Sequence, residues 1–144
     1  MSEIEEGGLS LFMRKLNMGY AKYFNEKYKR NGYLWQGVFR KVLVGHDAHF
    51  IRIPYYIHLN PLDLILPEWR KGKVRDMKKV YEYLHTYRWS SYLDYQGVKN
   101  FSSIIDTDLL TDVLGSVQHQ REEIASLIRD DSEVRKLSRE LEWN

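Results

Sequence analysis

Val38-Phe-Arg-Lys-Val-Leu-Val44, closed by Gly45, is the one stretch of this chain that reads as a β-strand. Its β-branched residues favour an extended backbone, and the glycine marks its end. The sequence on either side has helical spacing. Upstream, Phe12, Met13, Leu16, Tyr20, Tyr23 and Phe24 recur at steps of three and four. That spacing predicts an amphipathic helix with Ser10 as its N-cap and with Arg14, Lys15 and Lys22 facing elsewhere. Asn31-Gly32 ends it in a turn. Downstream, Asp47 is placed to cap a second helix running to about Asn60, where Pro61 stops it. Pro54 sits inside that helix and is expected to kink or restart it just before Tyr55. A lone strand cannot satisfy its own backbone groups, so residues 38–44 need a partner. An open edge there invites pairing with a second copy, a homodimer.

The rest of the chain reads as helix and loop. Pro67-Glu-Trp-Arg-Lys-Gly-Lys-Val-Arg75 looks like a basic loop, a short helical piece covers about residues 77–84, and Arg88-Trp-Ser-Ser-Tyr92 follows. Beyond residue 100, Leu109, Leu110, Val113, Leu114 and Val117, then Ile124, Leu127 and Ile128, then Val134, Leu137 and Leu141 predict two or three helices. The chain therefore divides into residues 1–100 and a helical extension at 101–144.

Composition narrows the chemistry. With 144 residues, 43% hydrophobic and 29% charged, the chain is globular and long enough to bury a core. It has no cysteine, which excludes disulfide scaffolds, cysteine-ligated metals and thiol nucleophiles. No apolar run approaches the roughly 20 residues of a membrane helix, and the first residues are acidic and polar. A soluble cytoplasmic protein with no membrane partner is expected. The formal charge of +2 conceals an asymmetry: residues 10–80 carry 15 Lys and Arg against 5 Asp and Glu, whereas residues 101–144 carry 5 against 10. A basic body with an acidic tail suggests a polyanion-binding surface. A merely solvated basic face is the plainer reading. Eleven Tyr and four Trp are interleaved with the basic residues, as in Tyr20-Ala-Lys-Tyr23, Lys27-Tyr-Lys-Arg30 and Tyr33-Leu-Trp35. Such rings either stack on unpaired bases or lie half-buried with their hydroxyls in water.

Few residues have the spacing of an active site. His46 and His49 are three apart, a spacing that suits a metal only on a helix and with a carboxylate in reach. No phosphate-binding glycine loop, metalloprotease helix or serine elbow occurs. Tyr56 and Asn60, four apart, share one helix face. A tyrosine hydroxyl, with an ordinary pKa of about 10, is a weak nucleophile unless a cation polarises its target. An amide oxygen one turn away is a candidate ligand for a hard cation. A packed tyrosine beside a polar helix end explains the same pair.

Tyr56-Ile-His-Leu-Asn60-Pro61 resembles the catalytic-helix motif Y-I-x-x-N-P of the REP-associated tyrosine transposases, relatives of the insertion-sequence-200-type single-strand transposases. Phe12-Met-Arg-Lys-Leu16, Gly19-Tyr-Ala-Lys-Tyr-Phe-Asn25, Gly32-Tyr-Leu-Trp-Gln-Gly37, Val42-Leu-Val44 and Trp89-Ser-Ser-Tyr92 match the family in the same order, over about residues 8–95.

The resemblance implies an HUH-superfamily fold: α+β, ferredoxin-like, with helices on one side of a small sheet. This chain would keep the helix-rich remainder, one or two strands, and the C-terminal helical extension. It further implies a Mg²⁺ or Mn²⁺ ion that polarises a phosphate in single-stranded, hairpin-forming DNA. Tyr56 would be the nucleophile, forming a 5′-phosphotyrosine, and Asn60 a metal ligand. Lys15, Lys22, Lys29, Arg30, Tyr33, Trp35, Arg40 and Lys41 are the candidate DNA contacts, chosen for charge, aromaticity and location. The sequence departs from the family in two ways. It contains no His-x-His pair, so one metal ligand of three is retained and this chain is expected to hold no metal. It therefore looks N-terminally truncated. Pro54 also lies two residues before Tyr56, and a shift near 1 Å costs on the order of 100-fold in rate. Two readings follow: a strand-transferring transposase, or a DNA-binding remnant that does not cut. An RNA-binding protein is the lesser alternative.

Overall fold

The computed structural model describes residues 5–44 and 47–141, the side chains of residues 47–49 excepted. His46 and the side chain of His49 lie outside that description. The chain forms two compact units, Met1–Leu43 and Val44–Asn144.

The first unit is one long helix and a loop. Helix α1 (Gly8–Tyr28) starts two residues before Ser10, with Gly7 as its cap at φ 77°, and ends at Lys29, also left-handed at φ 52°. The Lys29 and Arg30 amides return to Asn25 O, and Asn25 Nδ2 donates to Gly32 O at 2.9 Å, so Asn25 ties the turn to the helix. Residues 38–44 then run on without regular structure. The expected strand does not form, and no strand occurs among the described residues. The fold is all-α, not α+β. Valine-rich sequence favours extension, but a strand persists only where a neighbouring strand takes its N–H and C=O groups. No strand runs beside residues 38–44 among the described residues, and Val38 and Leu43 are 83% and 92% exposed. The strand edge expected to pair with a second copy is therefore absent among the described residues.

The second unit packs helices around one core. Helix α2 (Asp47–Leu59) carries Pro54 and continues through it without a restart. A proline inside a helix loses one hydrogen bond and costs about 3 kcal/mol. Here Pro54, Tyr55, Tyr56, His58 and Leu59 are all buried, and that packing offsets the loss. Pro61 ends α2 as expected, in a 3-10 turn at Asn60–Leu64, and a second 3-10 turn at Pro67–Lys71 occupies the start of the stretch read as a basic loop.

Helix α3 (Met77–Thr86) is capped by Asp76, whose carboxylate accepts from the Lys78 and Lys79 amides. The short α4 (Tyr92–Tyr95) buries Tyr92 and Leu93. Helices α5 (Asp108–Leu114), α6 (Val117–Arg129) and α7 (Asp131–Leu141) account for the tail. Their Leu114, Ile124, Leu127, Ile128, Val134 and Leu137 join Tyr55, Tyr56, Leu59, Trp69, Val80 and Leu84 in a single core. The C-terminal helices thus pack on the same core as Tyr56. No helix among the described residues is long and apolar enough to cross a membrane.

Candidate functional site

All eight residues proposed from the sequence to contact DNA lie in the first unit. Lys15, Lys22, Lys29, Arg30, Tyr33, Trp35, Arg40 and Lys41 are each exposed. Helix α1 buries none of its 21 residues, so its aromatic positions remain at the surface. Tyr20 lies 6.1 Å from Phe24 and 6.0 Å from Trp35, and Phe24 lies 4.5 Å from Tyr28, centroid to centroid. The Arg30 guanidinium sits 5.6 Å from the Phe24 ring centre. Trp35 Nε1 donates to Asn17 O at 3.2 Å, which folds the loop back onto the helix.

The loop and helix enclose a groove of about 410 Å³ whose lining includes Arg14, Asn17, Tyr33, Trp35, Gly37 and Val38. Tyr33 is 97% exposed at its rim. Between residues 10 and 43 there are eight Lys and Arg against one Glu, a balance of +7. The sequence reading missed Arg14 as a site residue. Its position next to Lys15 was a signal, but the facing loop that makes it part of a groove was not.

Tyr56 lies in the second unit, on the core face of α2, and is 1% exposed. Its hydroxyl is 2.6 Å from Ser138 Oγ of α7 and accepts from Arg70 Nη1 at 2.5 Å. Arg70 gathers the site. Nη1 also meets Ser138 Oγ at 2.8 Å, Nη2 meets Asn60 Oδ1 at 3.1 Å and Asp63 Oδ2 at 2.6 Å, and Nε meets Asp63 Oδ1 at 2.8 Å. A guanidinium has five N–H donors, and these bonds give each one an acceptor. The Arg70 carbon also lies 4.9 Å from the Trp69 ring centre and 5.3 Å from that of Tyr56. The Asp63 hydrogen bonds outweigh burial and hold Arg70 above its ordinary range. Burial pushes the Asp63 carboxyl up, but the hydrogen bonds from Arg70 and Trp69 and the Arg70 charge bring it below the usual range.

The chosen pair, Tyr56 and Asn60, therefore does converge, but on a cation supplied by the protein. Asn60 Oδ1, the proposed metal ligand, faces the Arg70 guanidinium, whose positive charge opposes a divalent ion at that oxygen. Among the described residues no three His, Asp or Glu side chains are placed to hold a metal ion. The residues around Asn60 do not fit a metal.

Two further ties hold α2 in place. Arg52 reaches Glu123 of α6 at 2.5 Å and Glu133 of α7 at 3.3 Å. Tyr55 Oη donates to Leu114 O at 3.1 Å, and burial pushes its phenol up to about 12. Arg70 and Ser138 carried no sequence signal, because a contact between residues 68 apart has no local pattern.

Comparison with protein-family models, with curated proteins and with solved structures finds no match for this chain. The transposase resemblance stands on the motif at Tyr56–Pro61 and its flanking segments alone.

Proposed function

We propose that this chain is a DNA-binding protein of tyrosine-transposase descent, which holds single-stranded, hairpin-forming DNA through residues 10–43 and acts in the cytoplasm. The observation that carries the reading is α1 itself. A helix that leaves Leu11, Phe12, Leu16, Tyr20, Tyr23 and Tyr28 40–55% exposed has an apolar and aromatic face without a core to fill. Arg30 lies 5.6 Å from the Phe24 ring centre and Lys27 5.4 Å and 5.5 Å from those of Tyr23 and Tyr28, while Lys15, Lys22 and Lys29 are exposed along the same segment. Basic groups neutralise phosphates and rings stack on unpaired bases, so one surface supplies both terms of single-strand binding.

The surroundings of Tyr56 favour binding over cleavage. Its hydroxyl is buried and held by Arg70 and Ser138, and the neighbouring amide oxygen faces a guanidinium. A nucleophile must reach the phosphorus of its substrate, and this one is closed off by α7. Strand transfer is the second reading, supported by the guanidinium on the Tyr56 hydroxyl: an attack of Oη on phosphorus with the 3′-oxygen leaving would need such a charge, but also the withdrawal of α7.

Charge reversal at Lys29 and Arg30 tests the reading. Binding of a labelled DNA hairpin with a single-stranded flank should weaken, and its salt dependence should flatten by about 0.7–0.9 for each phosphate no longer neutralised. An unaltered slope would place the nucleic acid elsewhere. Equal affinity for a matched RNA would favour the RNA-binding alternative. Incubation of the same DNA with Mn²⁺, followed by denaturing electrophoresis, separates the two readings: a covalent adduct that disappears in Tyr56→Phe would establish strand transfer.

A further inference from the structure

The second unit carries a groove that the surface assigned above does not include. It lies between α3 and α6, measures about 710 Å³, and is lined in part by Tyr81, Arg121, Glu122, Ser126, Arg129 and Asp130. Arg121, Ala125 and Arg129 are spaced by four and so share one face of α6. The small alanine between them leaves the floor open. Eight residues of helix put the two arginines roughly 12 Å apart along the axis, about three to four nucleotides of a stacked strand at 3.4 Å each.

Arg52, Arg70 and Arg135 each meet a carboxylate, whereas Arg121 and Arg129, like Arg75, Arg88 and Arg139, have no carboxylate partner among the described residues. Two acids, Glu122 and Asp130, also line the groove, and each holds its own hydrogen bonds. Glu122 accepts from Gln118 Nε2 at 2.8 Å, and Asp130 Oδ1 caps α7, accepting from the Ser132 and Glu133 amides and from Ser132 Oγ. Arg121 is set in place by Tyr81: the guanidinium lies 5.5 Å from the ring centre, and Tyr81 Oη donates to Arg121 O at 2.9 Å. A guanidinium resting on a ring keeps its N–H edge for an oxyanion.

The basic segment after Trp69 ends beside the same groove. Gly72 adopts φ +65°, and a Cβ there would sit 3.4 Å from Arg129 O. This close approach carries the backbone of Lys71 and Lys73, both exposed, past the Arg129 end of α6. Around the groove, Arg121, Arg129, Lys71 and Lys73 stand against Glu122, Asp130 and Asp131.

We infer that the α3–α6 groove is a second nucleic-acid contact, which takes the phosphodiester backbone of a single strand on Arg121, Arg129 and the Ser126 hydroxyl. The inference rests on the reading of the chain as a DNA binder, though not on the surface assigned to it.

The test uses the whole chain and a twelve-residue oligothymidylate. In ¹⁵N-labelled protein, the Arg121 and Arg129 Nε–Hε signals and the Ser126 amide should shift on addition of the oligonucleotide, and should still shift in the K29E/R30E variant. The R121Q/R129Q variant should weaken binding several-fold and flatten the salt slope by about 1.4, two phosphates at about 0.7 each, while R121K/R129K keeps most of the slope. Absence of the shifts in the wild-type chain would overturn the groove whatever the variants do. So would an unchanged slope in R121Q/R129Q with a normal unfolding transition. If K29E/R30E binds as tightly as wild type while R121Q/R129Q does not, the groove stands and the first-unit surface falls.

Discussion

The Tyr56 and Ser138 hydroxyls lie 2.6 Å apart although 82 residues separate them in the sequence. The contact joins α2 to α7, and Arg70 Nη1 donates to both oxygens. A tyrosine that a motif marks as a nucleophile is thus a member of a closed polar cluster, built from four segments of the second unit. This is why the surface of the first unit, and not Tyr56, carries the functional reading.

Removing the Ser138 hydroxyl should cost little. In Ser138→Ala, Tyr56 keeps its bond from Arg70, and one Arg70 N–H is left without its acceptor. A net loss of about 1 kcal/mol is expected, read as a lower urea midpoint with an unchanged slope. A Ser138→Leu change should cost more, since it puts an apolar side chain against the Tyr56 hydroxyl and the Arg70 guanidinium in place of their hydrogen-bond partner.

Arg70→Lys should behave almost as a deletion. A lysine is a point charge with three donors and cannot serve Asp63, Asn60, Tyr56 and Ser138 from one plane. The Arg70 side chain is 24% and that of Asp63 39% exposed, so solvent softens the loss, which is expected at about 2 kcal/mol. Thermal unfolding would show it, and a Tm indistinguishable from wild type would mean that the cluster contributes nothing to stability.

Acid should destabilise the second unit through His58. Burial lowers its imidazole to about 4 from an ordinary 6.5, and Nε2 lies 2.9 Å from Ser91 Oγ. Because the folded state holds the ring neutral, the unfolded chain binds more protons between those two values. The contribution is complete above about pH 6.5 and is lost as pH falls toward 4, on the order of 3 kcal/mol in all. Denaturant titrations at about pH 7 and pH 4.5 should differ by about that amount more in wild type than in His58→Gln.

Tyr33 and Trp35 should separate binding from folding. Tyr33 is 97% exposed and packs on little, so Tyr33→Ala should leave stability unchanged while weakening single-strand binding about fivefold or more. Trp35, 47% exposed and bonded to Asn17 O, should affect both. Equal DNA affinity in Tyr33→Ala would remove that ring from the interface.

Much of the helical content was legible from local pattern. The periodicity of residues 12–24, the stop at Pro61 and the apolar spacing in the tail each correspond to an observed helix or helix end. Asp76 and the residues that follow it form a capped helix for the same local reason. Two readings are displaced: residues 38–44 have strand propensity without a strand partner among the described residues, and Gly7, not Ser10, caps α1. Propensity is local, whereas partners and burial belong to the fold.

What the sequence alone determined was therefore the helical order of α1, α2 and the tail, the +7 balance of residues 10–43 and the one-face pairing of Tyr56 with Asn60. Tertiary structure alone decided what that pair meets. Arg70 and Ser138 come from distant segments, and only the packing of α7 and the Pro67–Lys71 turn against α2 brings their donors to the two oxygens. Spacing along a helix sets which side chains share a face, because about 3.6 residues make a turn. It cannot set what covers that face, because the covering groups are chosen by burial of apolar surface far along the chain.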